Sequence, residues 1–126
     1  MTETVFVLDT NAAIYLLKCE NVLEPIASAD FAMSIITRME LLSKRDITAG
    51  DEAELRSLMD DLTLVPISDA VEAAAIALRR SAKIKLPDAI IAATSIALNA
   101  VLLTHDDRLL RLSWPGYRVR DIPEMG

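Results

Sequence analysis

The feature that most constrains this chain is an alternation of two patterns. Short apolar runs alternate with segments whose apolar residues recur at helical spacing. Thr4-Val5-Phe6-Val7-Leu8 is the first run, and it has the look of a strand buried on both faces. Asp9 closes it, and Asn11 to Lys18 reads as a helix. A second strand is expected at Phe31 to Ser34, leading into a helix that carries Ile36, Met39, Leu41 and Leu42. Gly50 and Asp51 open a third helical segment, in which Ala53, Leu55, Leu58, Met59 and Leu62 keep the interval through acidic surroundings. Leu64-Val65-Pro66-Ile67 is a weak strand, and Ser68-Asp69 caps a helix from Val71 to Ser81. Pro87 and Asp88 start a strongly apolar helix running to about Asn99. Ala100 to Thr104 is the clearest strand after the first. A short helical stretch, Leu109 to Leu112, and a final strand near Tyr117-Arg118-Val119 complete the pattern. Strands that alternate with helices pair in parallel, because each return to the sheet is made by a crossover helix. The expectation is an α/β domain of three layers, α/β/α, with a central, mainly parallel sheet.

At 126 residues the chain matches one domain, 1–126. With 52% hydrophobic residues there is enough apolar material for a core, and with 4% aromatics that core is aliphatic. So few aromatics also argue against binding nucleic acid by stacking bases on rings. Cys19 is the sole cysteine, which excludes an internal disulfide and fits a reducing cytoplasm. Met1-Thr2-Glu3-Thr4 is acidic rather than basic, unlike a secretory signal. The longest apolar stretch, Ala89 to Leu103, is shorter than the ~18–20 residues that cross a bilayer, so no membrane association is expected.

Four carboxylates stand out. An ionised carboxylate loses hydration worth several kcal/mol on burial unless something replaces it. Yet Asp9 ends a buried strand, Asp106 follows another, Glu40 lies between Met39 and Leu41-Leu42, and Asp88 precedes Ala89-Ile90-Ile91-Ala92-Ala93. In open parallel sheets, ligands bind beyond the carboxyl ends of the strands, where Asp9 and Asp106 belong. If the sheet order brings those ends together, the four acids share a pocket and repel one another unless protons or cations intervene. Hard divalent ions, Mg²⁺ or Mn²⁺, suit oxygen ligands and keep open positions for a phosphate, which is the chemistry of phosphodiester hydrolysis. Position alone leaves other readings open: Asp9 and Asp106 as cap or turn formers, Asp88 as a residue favoured by the helix dipole, and Glu40 paired with Arg38 or Lys44. Thr10, Asn11, Thr37 and Thr104 stand close enough in sequence to orient the carboxylates.

Taken together, Val7-Leu8-Asp9-Thr10-Asn11, Thr37-Arg38-Met39-Glu40-Leu41, Leu86-Pro87-Asp88-Ala89-Ile90-Ile91-Ala92-Ala93-Thr94 and Leu102-Leu103-Thr104-His105-Asp106 make the chain resemble the PIN-domain nucleases. Within that family it looks like the VapC-type toxins of toxin–antitoxin pairs. The resemblance implies a PIN-like fold and an endoribonuclease dependent on Mg²⁺ or Mn²⁺. It makes Asp9, Glu40 and Asp88 the central acids and Asp106 the fourth, with Thr104 and Asn11 in support. It further implies a homodimer, a VapB-like antitoxin and an RNA substrate. One departure stands against it: many relatives carry an Asp-Phe pair after the fourth acid, where this chain has Arg108-Leu109-Leu110. That leaves the roles of Asp106 and Asp107 less settled, with Asp106 favoured because it stands two after Thr104 and Asp107 read as a solvated neighbour; His105, the sole histidine, is read as a substrate contact or a surface position ahead of a general base.

Net charge is −6, which on its face disfavours a polyanionic partner. The distribution matters more, because Arg79-Arg80 and Lys83 to Lys85 form a basic segment just before Asp88. Arg38, Arg79, Arg80, Lys83, Lys85 and Arg108 are the candidates for gripping RNA phosphates, although charge runs also occur as plain solvated surface. Two other readings compete. A phosphatase or phosphotransfer domain also places Asp at strand ends, but the phosphatase pattern wants an acid where Asn11 stands, and the receiver pattern wants a late strand-end Lys. A catalytically silent PIN binding module would be expected to lack a core acid, and none is missing.

Overall fold

The computed structural model describes residues 4–18 and 30–122, so Cys19 and the amino-terminal tripeptide lie outside the described residues. The elements follow one another as β1 (Val5–Leu8), α1 (Thr10–Lys18), β2 (Asp30–Ser34), α2 (Ile35–Leu42), α3 (Ala49–Asp60), β3 (Thr63–Val65), α4 (Asp69–Ser81), α5 (Leu86–Ala97), β4 (Val101–Thr104), α6 (Asp107–Arg111) and β5 (Arg118–Asp121). The five strands form one sheet in the order β3-β2-β1-β4-β5, and all four pairings are parallel. β1 is central, flanked by β2 and β4, with Leu8 opposite both Met33 and Leu103.

The period of two along each strand splits the core between the two faces of the sheet. Phe6, Leu8, Met33, Val101 and Leu103 point to one side, where Ala12 and Ala13 of α1, Leu41 of α2, and Leu55 and Met59 of α3 cover them. Val7, Ala32 and Leu102 point to the other, against Val71, Ala75 and Leu78 of α4, the Ala89–Ala93 segment of α5, and Leu109 of α6. This is the three-layer arrangement read from the sequence. Each inner strand must be apolar on both faces, which is why the β1 and β4 runs do not alternate. Leu102 is fully buried in such a position, and truncating it to alanine is expected to cost about 2–5 kcal/mol.

The continuous apolar run after Asp88 is explained by α5, in which every residue from Ala89 to Ser95 is buried. Its buried hydroxyls are satisfied within the helix, Thr94 donating to the Ile90 carbonyl and Ser95 to the Ala92 carbonyl, both at 2.7 Å. The helix stops at Asn99, which takes φ +53°. Asn99 N–H returns to the Ile96 carbonyl and Ala100 N–H to the Ser95 carbonyl, the paired bonds of a Schellman cap. The chain passes directly from this cap into β4. The start of α5 therefore lies near the carboxyl edge of the sheet, with Asp88 in its first turn. No helix among the described residues is long and apolar enough to cross a membrane.

Candidate functional site

At the carboxyl edge, Asp9 ends β1 and precedes the first residue of α1. Asp9 is only 4% exposed. One carboxylate oxygen, Oδ1, accepts from the Ala12 N–H at 2.7 Å, an N-cap bond that answers one of the orphan donors of α1. The other, Oδ2, accepts from the hydroxyl of Thr104, the last residue of β4, which is itself fully buried. Thr104 Oγ1 in turn accepts from the Asp106 N–H at 2.9 Å. The adjacency of β1 and β4 in the sheet makes this connection across 95 positions of sequence.

Asp106 caps α6, its Oδ1 accepting from the N–H groups of Arg108 at 2.8 Å and Leu109 at 3.2 Å. The cap reading and the ligand reading of Asp106 are therefore compatible. A carboxylate has lone pairs on two oxygens, and capping engages one of them. Glu40 departs from the expectation of a buried acid: it is exposed, while its neighbour Leu41 enters the core and Met39 faces outward. Its partner is neither Arg38 nor Lys44. Oε1 accepts from the Thr10 hydroxyl at 2.9 Å, which ties α2 to the start of α1 beside Asp9.

The electrostatics join these side chains to Asp88. Burial, more than any other influence, raises the Asp9 pKa above the ordinary carboxylate value; the Thr104 and Ala12 hydrogen bonds oppose it, and the charges of Asp106 and Asp88 add to it. Asp88 is also raised, first by burial, then by Asp106 and Glu40, with Lys85 and Arg108 acting in the opposite direction. Each acid thus lies in the field of at least one other, and the four occupy one region. A cation placed among them would reverse that repulsion, and the donor set is hard oxygen throughout. Among the described residues no three acidic, histidine or cysteine side chains are set to hold a metal ion by themselves. An ion here would be held by one or two carboxylates and keep much of its water, which is the usual habit of Mg²⁺.

Of the supporting residues read from the sequence, Thr104 and Thr10 bind carboxylates directly. Asn11 is exposed, and the bonds to Asp9 come from Ala12 and Thr104 instead. Thr37 lies one helical turn before Glu40, fully buried, with its hydroxyl unpartnered among the described residues. The basic candidates divide. Lys85 and Arg108 act on Asp88 electrostatically. Arg79 donates to the Ile84 carbonyl at 2.7 Å, and with Arg80 it lines a groove along α4 together with Ile67, Ile76 and Leu86. Lys83 is exposed, and Arg38 is half-buried on α2.

Two residues near the pocket escape the sequence reading. Asp121, at the end of β5, pairs with His105 Nδ1 at 2.9 Å, while the His105 ring stands edge-on to Tyr15 at 5.3 Å. Tyr117 places its hydroxyl on the Leu109 carbonyl at 2.7 Å; its pKa is pushed well up by burial, then by Asp9, Asp106 and Asp88. The available signal for Tyr117 is its place beside a Pro-Gly turn, since a buried phenol needs a hydrogen-bond partner.

The PIN domain family model matches residues 6–115, from β1 to the turn before β5. The chain belongs to the PIN-domain family. All four acids fall within the matched span. The PIN domain also has structural counterparts. VapBC2 from Rickettsia felis, solved bound to a DNA fragment from the promoter, superposes with a TM-score of 0.79 at 24% identity, covering 94% of this chain and 98% of that one. A toxin–antitoxin complex from Klebsiella pneumoniae gives 0.72 at 28% identity, covering 92% and 96%. VapBC-1 from nontypeable Haemophilus influenzae gives 0.73 at 23% identity, covering 95% and 99%. No curated protein matches the sequence.

Proposed function

We propose that this PIN domain is a metal-dependent endoribonuclease that hydrolyses RNA phosphodiesters and serves as the toxin of a VapBC-type toxin–antitoxin pair. The observation that carries the proposal is the buried Asp9 carboxylate, gripped by Thr104 and Ala12 and lying in the field of Asp88 and Asp106. Burying a carboxylate among like charges is unfavourable, and it makes physical sense where a cation completes the site. In this reading Asp9, Glu40, Asp88 and Asp106 surround Mg²⁺ or Mn²⁺, one or two of them binding it directly and the others through the water it keeps. When bound, such an ion lowers the pKa of the water it carries and polarises the phosphoryl oxygen. The chain's own residues do the positioning. Thr104 and the Ala12 N–H fix the plane of the Asp9 carboxylate, and Thr10 fixes Glu40. Lys85 and Arg108, the cations that act on Asp88, steady the flanking phosphates of the RNA.

The partner reading is supported by counterparts that are toxin–antitoxin complexes and by coverage of almost their whole length. A VapB-like antitoxin is the proposed partner, and the cytoplasm the proposed compartment. A homodimer is supported by the outer face of α4, where the apolar Ile67, Ile76 and Leu86 are exposed beside Glu72, Arg79 and Arg80. Apolar residues rimmed by both signs of charge suit a second copy related by a two-fold axis.

The direct test is RNA cleavage with added Mn²⁺, comparing wild type with Asp9→Asn and Asp88→Asn. Loss of cleavage in both variants is expected, and equal cleavage by all three proteins would sink the assignment.

A further inference from the structure

Tyr117 closes a tight turn, Trp114-Pro115-Gly116-Tyr117, in which its N–H donates to the Trp114 carbonyl at 3.0 Å. Gly116 takes φ +82°, the conformation that the third residue of a type II turn requires, and Pro115 favours the second position. The turn brings the half-buried ring back against α6, where the hydroxyl donates to the Leu109 carbonyl. From there the bonds lead inward. The Leu109 and Arg108 N–H groups donate to Asp106 Oδ1, the Asp106 N–H donates to Thr104 Oγ1, and the Thr104 hydroxyl donates to Asp9. A continuous path thus joins the phenol to the most buried of the four acids.

Such a path has a mechanical purpose. α6 is five residues long, too short to hold its own helical form, so its orientation must be imposed from outside. The Leu109 side chain supplies an apolar anchor in the core. The Tyr117 hydroxyl supplies the polar one, and it acts on the residue whose N–H reaches Asp106. We propose that Tyr117 is a positioning residue of the acid pocket, bracing α6 through the Leu109 carbonyl so that Asp106 and Thr104 meet Asp9 in a geometry that accepts a divalent cation. The inference rests on the metal-dependent reading above. A phenol suits this bracing role, because its ordinary pKa of about 10 already leaves it a donor at neutral pH, and burial and the negative field of Asp9, Asp106 and Asp88 raise it further.

The substitution Tyr117→Phe removes the O–H and leaves the ring. Outer-shell contacts to metal sites are worth ~10–100-fold in affinity. Tyr117 acts at one further remove, so Mn²⁺ binding by calorimetry should weaken about 3–10-fold on that scale. Cleavage should recover towards the wild-type rate at saturating Mn²⁺. Amide exchange at Arg108 and Leu109 should quicken while α4 is unchanged. Leu55→Ala, in the core on the opposite face of the sheet, serves as the control for general destabilisation and should leave Mn²⁺ affinity intact. Unaltered Mn²⁺ affinity in Tyr117→Phe, or the same weakening in Leu55→Ala, would overturn the proposal. If the wild-type protein takes up no Mn²⁺, the metal-dependent reading itself fails, and amide exchange then decides the brace: faster exchange at Arg108 and Leu109 supports it, and unchanged exchange refutes it.

Discussion

Arg79, Arg80, Lys83 and Lys85 lie within a few residues of one another around the end of α4, whereas Asp9, Glu40, Asp88 and Asp106 are scattered over most of the chain. In the fold the relation inverts. The basic cluster stays on the surface and splits, with Arg79 and Arg80 along an α4 groove and Lys85 acting on Asp88. The acids converge, because β1 and β4 are neighbours in the sheet, α2 follows β2 at the same edge, and α5 begins there. Charges that are local in sequence stay at the surface, where Arg79 meets the Ile84 carbonyl and only Lys85 acts on one of the acids. Charges that the topology gathers from four separate segments sit in an energetically unfavourable arrangement that protons or a bound cation relieve.

Removing an acid should separate the two regions most sharply. Asp88→Asn is expected to abolish Mn²⁺-dependent RNA cleavage, while Arg80→Ala in the α4 groove leaves the turnover of a short RNA unchanged; comparable losses in both would erase the distinction. Next in size is Thr104→Val, which keeps the shape of the side chain and removes the hydroxyl that orients Asp9. A fall of ~10–100-fold in Mn²⁺ affinity is expected, read by calorimetry. Smaller again is the split within the basic segment. Lys85→Ala should raise KM for RNA with kcat little changed and flatten its salt dependence, whereas Lys83→Ala should do neither.

The smallest effect concerns stability and pH. Asp9 and Asp88 have folded-state pKa values above the ordinary 3.8, so between 3.8 and the raised values the folded protein binds more protons than the unfolded chain. Their contribution therefore makes the metal-free protein less stable as pH rises through that window. Thermal melting of Asp9→Asn should show a weaker loss than wild type over that window, and added Mg²⁺ should reduce the wild-type loss. A wild-type slope unaffected by either change would mean that the acids do not burden the fold.

Much of this is legible in the sequence because the relevant signals are local. The two-sided apolar runs of β1 and β4, the Ser68 cap of α4 and the uninterrupted Ala89–Ser95 core of α5 each follow from a few neighbouring residues. Asp9 and Asp106 are marked by strand ends and Asp88 by a helix start. Glu40 is singled out by its apolar neighbours, yet its carboxylate is exposed and reaches Thr10, a contact set by how α1 and α2 pack rather than by either helix alone. The edge strand β5 is harder to read, since its Arg118 and Arg120 alternate with Val119 on a half-covered face. The contacts that depend on its placement, His105 with Asp121 and Tyr117 with Leu109, are correspondingly hidden.

The shared acid pocket is tested most directly by titrating Mn²⁺ into the purified protein at neutral pH and following the heat. Saturable binding in wild type that disappears in both Asp9→Asn and Asp88→Asn is the predicted result, because the proposed site has both carboxylates face one ion. Binding of equal affinity in all three proteins, or none in wild type at millimolar Mn²⁺, would contradict it.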